Sequence, residues 1–93
     1  MEEVLNKLAE YTLSLKEALE STHETNEHPL LVQRLAAAAE MFALLHLKND
    51  VSAVENIVKT EIRAHGWSYI SGSAGEDIGK KWAAFTNAAG IHT

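Results

Sequence analysis

Residues 29–47 read Pro29-Leu-Leu-Val-Gln-Arg-Leu-Ala-Ala-Ala-Ala-Glu-Met-Phe-Ala-Leu-Leu-His-Leu47. Proline at a first helical turn is favourable, because its missing N–H has no intrahelical partner there. Beyond it, the polar residues Gln33, Arg34, Glu40 and Lys48 project within about 120° of arc at 100° per residue. The rest of the segment is apolar, and even the polar arc contains Ala37, Met41 and Leu44. The pattern predicts a helix over 29–47, touched on more than one side. His46 projects near Leu35, Ala39 and Phe42, so a buried, hydrogen-bonded imidazole is expected. The segment falls slightly short of the roughly 20 mostly apolar residues of a membrane span and carries Gln33, Arg34, Glu40 and His46.

The flanking segments supply three more helices. Leu5, Leu8, Thr12, Leu15 and Leu19 recur at alternating spacings of three and four, and Val4, Tyr11 and Ala18 widen the stripe, which predicts a first helix over 2–22. After Lys48-Asn49-Asp50, Val51, Val54, Ile57, Val58 and Ile62 predict a third helix over 51–65. Asp50 or Ser52 can cap it, and Ser52-Ala-Val-Glu55 fits a capping box. Gly66 ends that helix, with Trp67 placed for the accompanying apolar contact. Ser73-Ala-Gly-Glu76 is a second capping box, opening a fourth helix over 74–89 along Ile78, Trp82, Phe85 and Ala89. The expected fold is therefore all-α: one domain over 1–93, an antiparallel up-down-up-down four-helix bundle with a shorter fourth helix. Its expected core includes Leu8, Leu15, Leu35, Phe42, Val54, Ile62 and Trp82.

At 93 residues there is room for one domain with a thin core. There is no cysteine, which removes disulfide and thiolate chemistry. The acidic start Met1-Glu2-Glu3 lacks the positive charge of a signal peptide, and a cytoplasmic setting is expected. The net charge of −5 is unevenly placed. Residues 1–28 hold seven acids (Glu2, Glu3, Glu10, Glu17, Glu20, Glu24, Glu27) and two bases (Lys7, Lys16), while residues 29–93 hold six of each. An acidic first helix argues against nucleic acid, whose phosphates it repels.

Three constellations could carry function. In an up-down-up arrangement, His23 and His28 meet Glu61 and His65 at one pole. Imidazole and carboxylate suit zinc or another divalent metal, so His23, His28, Glu61 and His65 form a candidate metal site. The competing reading is structural. Histidine in a last turn is favoured by the helix dipole, and Glu61 can pair with His65 or Arg34. The second is the glycine-rich turn Ser71-Gly-Ser-Ala-Gly75 ahead of Lys80 and Lys81. Its spacing misses the phosphate-loop pattern, and Glu76 and Asp77 would repel a phosphate, so no nucleotide cofactor is expected. The third is Trp67 and Tyr69, which can plug the bundle end or anchor a partner.

No serine or threonine lies in a nucleophile motif, and no catalytic set is expected. The leading expectation is a non-enzymatic protein–protein interaction module, self-associating through the second or first helix. Met41 and Leu44 would otherwise be left exposed, and Trp67 and Tyr69 are further candidate contacts. The alternative is a bundle that binds a metal or small ligand at the His/Glu pole.

Overall fold

The computed structural model describes residues 1–22, 27–65 and 72–91, and for residues 61–65 and 72 the backbone alone. Every regular element among the described residues is an α-helix: α1 (Glu2–Ser21), α2 (His28–Lys48), α3 (Val51–His65) and α4 (Gly72–Ala89). Helix α4, at 18 residues, is shorter than α1 and α2, and α3 is shortest at 15. Helix α4 starts at Gly72, which places Ser73 inside it rather than at its cap.

Local chemistry sets the remaining boundaries. Pro29 occupies the first turn of α2, as its lack of an N–H allows. The helix ends on Asn49, whose φ of 51° lies in the left-handed region that Asn tolerates better than most residues. The Asn49 and Asp50 N–H groups return to the carbonyls of Leu45 and Leu44. Asp50 then opens α3, its Oδ1 accepting from the Ala53 N–H at 3.0 Å. Ser52 therefore lies inside α3, and Glu55 pairs outward with Lys59 at 2.9 Å instead of closing a capping box. The end of α4 is a Schellman turn. Gly90 adopts φ of 72°, the Ile91 N–H reaches the Thr86 carbonyl at 2.9 Å, and Ile91 is buried.

Among the described residues, α1 packs extensively against both α4 and α2, and α2 against α3. The α1–α4 seam is aromatic. Trp82 lies 4.9 Å from Tyr11 and 5.8 Å from Phe85, in tilted geometries that suit ring quadrupoles. Beside it, the buried Ser14 hydroxyl donates to Asp77 Oδ2 at 2.5 Å. Tyr11 and Ala18, on the widened stripe, are buried with Leu8 and Leu15, and Ser14 joins them, whereas Leu5 and Leu19 are only partly buried. Thr12 bonds back to the Leu8 carbonyl at 2.8 Å.

The larger correction concerns α2. Its buried stripe is Leu31, Arg34, Ala38, Met41 and Leu45. Arg34 thus faces inward at 3% exposure, although it belongs to the polar arc expected to face solvent. Met41 is 1% exposed and Leu44 packs against the core, so neither is left bare in a monomer. Conversely, His46 is exposed rather than buried. Leu35 and Phe42, expected in the core, are partly buried at its edge. Side-chain size explains the rotation. Burying Leu31, Met41 and Leu45 removes more apolar area from water than burying the alanines on the other side. The guanidinium that comes with them is tolerated because it is paired.

Candidate functional site

Turning large side chains inward leaves α2 with an apolar exterior. Val32, Ala36, Ala39, Ala43 and Leu47 are all exposed and lie on one side of the helix at spacings of four, three, four and four. Val32 is 53% exposed and Leu47 76%. Gln33 and Glu40 edge this stripe on one flank, and the exposed His46 with the partly buried Leu35 and Phe42 on the other. Glu40 is its nearest charge. Only 28% of the most apolar stretch of α2 is buried, although the helix is long and apolar enough to cross a membrane. A core helix of that composition would be mostly covered. This exposed stripe is the feature of the molecule that departs furthest from an ordinary solvated surface.

The outward side of α1 is its opposite. Glu2, Glu3, Glu10, Glu17 and Glu20 are exposed, and two of them pair along the helix: Lys7 with Glu10 at 3.5 Å and Lys16 with Glu20 at 3.8 Å. Among the described residues of α1, Leu13 is the single large apolar side chain exposed. Between α1 and α4 runs a shallow groove lined by Glu10, Ser14, Glu17, Asp77 and Lys81. A second groove, between α2 and α3, is lined by Ala37, Glu40, Asn56, Ile57 and Thr60. Each mixes small, polar and charged groups, and the first contains the Ser14–Asp77 hydrogen bond, with Lys81 also in its lining.

Of the expected metal ligands, His23 lies outside the described residues, and so do the side chains of Glu61 and His65. His28 begins α2, partly buried, and its Nε2 is buried without a hydrogen-bond partner among the described residues. Nearby, Glu27 is buried and accepts from the Thr22 hydroxyl at 2.8 Å. Among the described residues no three His, Asp or Glu side chains converge as metal ligands. The expected contact residues Trp67 and Tyr69 also lie outside the described residues.

The residues that form the apolar stripe are legible in the sequence as a second three-four pattern on α2, rotated from the first. What hides it is the alanine run, which serves an interior and an exterior equally well. The sequence matches no protein-family model, and no curated protein or solved structure is similar to it.

Proposed function

We propose that this chain is a non-enzymatic helical interaction module that self-associates through the outward face of α2. The observation that carries the reading is the exposed stripe Val32, Ala36, Ala39, Ala43 and Leu47 on a helix whose inner side already fills the core. Leaving it in water forgoes roughly 25 cal/mol for each Å² of apolar area that a partner could cover. The scaffold in this proposal is a single domain with its helices running up-down-up-down. The two-residue link Asn49-Asp50 supports that arrangement, since so short a connection favours antiparallel neighbours.

A protein partner fits this face better than a bilayer does. Inserting α2 across a membrane would strip Arg34 from its buried, paired position. Lying on an anionic surface is disfavoured by Glu40 beside the stripe and by the net charge of −5. Self-association through α1 would set Glu10, Glu17 and Glu20 of one copy against the same residues of another.

Sedimentation equilibrium tests the reading. The wild type should show a monomer–dimer equilibrium that Val32→Glu with Leu47→Glu abolishes, the double variant keeping its helical circular dichroism. A wild type that remains monomeric up to about 0.5 mM, a concentration at which even weak dimers form, would refute it.

A second reading rests on His28, whose Nε2 is buried without a hydrogen-bond partner among the described residues. With His23, Glu61 and His65 it would supply imidazole and carboxylate ligands for a divalent metal at that pole. Zinc should then raise the melting temperature of the wild type and leave that of His28→Ala unchanged. Equal responses of the two proteins would remove this reading.

A further inference from the structure

The order of side-chain sizes along the α2 stripe carries the self-association reading further. Val32 and Leu47 stand at its ends, and Ala36, Ala39 and Ala43 fill its middle. Numbered from a point between residues 39 and 40, the stripe reads almost the same in both directions. Val32 mirrors Leu47, and Ala36 mirrors Ala43. We infer that the occupant of this face is α2 of a second copy, packed antiparallel across a two-fold axis beside Ala39 and Glu40. This inference rests on the face being a docking surface for the chain itself.

Helix shape makes the size order useful. Surface helices curve gently with their convex side toward solvent. Two convex faces touch at their middles and part at their ends. Alanines at the middle permit the small interaxial distance of a close helix pair, toward the lower end of the usual 8–10 Å. Valine and leucine at the ends fill the widening gap. An antiparallel pair sets Val32 against Leu47 at both ends, so the gaps match. A parallel pair would set valine on valine at one end and leucine on leucine at the other, which tilts the helices. The antiparallel pair also places each helix's electronegative C-terminus beside the partner's N-terminus, the favourable dipole alignment.

Two consequences follow from the geometry. An isologous axis of this kind brings each flank of the stripe against the same flank of the partner. The two Glu40 carboxylates therefore approach each other near the axis and oppose the pairing, so Glu40→Gln should tighten the dimer severalfold. In a parallel pair they would sit on opposite flanks, and the substitution would do little. The area is also limited. A helix of 21 residues is about 31 Å long, and one such pair falls among the smallest specific interfaces, below about 1,200 Å² in total. The dimer should form and dissociate across the micromolar range.

The chain has no cysteine, so an introduced one reports a single position. Val32→Cys and Leu47→Cys proteins, each checked for native helical content, are mixed and oxidised at concentrations where the wild type dimerises. A disulfide requires Cα atoms within about 7 Å. Residues 32 and 47 are separated by about 22 Å along one helix, so the crosslinks discriminate sharply. The expected product is the mixed disulfide that joins position 32 of one copy to position 47 of the other, with little crosslinking in either protein alone. Efficient crosslinking of Val32→Cys to itself would overturn the antiparallel geometry in favour of a parallel pair. A dimer in sedimentation that yields neither crosslink would overturn α2 as its interface. A wild type that sediments as a monomer would refute the underlying self-association as well. If that monomer floats with phosphatidylcholine vesicles, the occupant is a bilayer instead.

Discussion

Helices α1 and α2 are nearly the same length and lie side by side, yet their polarities are arranged in opposite senses. The inner side of α1 is apolar and hydroxylic, with Leu8, Tyr11, Ser14, Leu15 and Ala18, and its outer side is charged. The inner side of α2 contains the buried guanidinium of Arg34, and its outer side is a stripe of Val, Ala and Leu edged by Gln33, Glu40 and His46. Seen alone, α1 is the ordinary amphipathic helix of a water-soluble domain. Its partner is amphipathic in part against the grain. A buried charge needs pairing to be tolerated, and an exposed apolar stripe gains free energy when covered. The contrast points to α2 as the place for function, because nothing in the packing of the described residues requires its exterior to be apolar.

The strongest way to break the comparison is to remove the inner charge of α2. Arg34→Ala should cost about 2–5 kcal/mol in urea unfolding, since it empties a buried position and removes the interaction the side chain makes there. Arg34→Met, which fills the space with an apolar chain, should cost less. If Arg34→Ala unfolds with the wild type, α2 does not turn this guanidinium inward. A smaller effect is expected at the link that fixes α3 against α2. Asp50→Ala removes the acceptor for the Ala53 N–H and should cost about 1 kcal/mol, whereas Ser52→Ala should be near neutral. Equal losses at both positions would restore Ser52 as the cap. On the inner side of α1, Ser14→Ala should cost about 0.5–1.5 kcal/mol through the lost bond to Asp77, read from the same unfolding curves. The outer side of α1 should respond least. Lys16→Ala breaks only an exposed ion pair and should shift stability by less than about 0.5 kcal/mol. It should also leave the sedimentation profile unaltered.

Much of the fold is legible in the sequence, because the signals that set helix ends are local. Pro29, Asn49-Asp50 and Gly90 punctuate the chain, and the expected boundaries fall within two residues of the observed ones. Likewise, Ile78, Trp82 and Phe85 form the buried stripe of α4 at their expected spacing. Rotation about the helix axis is less legible. A helix that is apolar almost all round carries little phase information, and Ala36 to Ala39 add none. The deciding quantities are which large side chains find partners and whether Arg34 can be paired, and both depend on neighbours distant in sequence. Ser14 is buried for the same reason, its hydroxyl bonded to Asp77 of α4. The candidate site follows from that rotation, which sets Val32 and Leu47 outward and takes Met41 and Leu44 into contact with the core.

The comparison between the two outer faces can be tested in one methyl-labelled sample. Methyl resonances of Val32, Ala36, Ala39, Ala43 and Leu47 on α2, and of Leu13 on α1, are followed by NMR from about 10 µM to 1 mM, a range that brackets a weak dimer. The account predicts that the α2 methyls shift together along one binding curve while Leu13 stays fixed. Constant α2 methyls throughout, or a shift confined to Leu13, would contradict it.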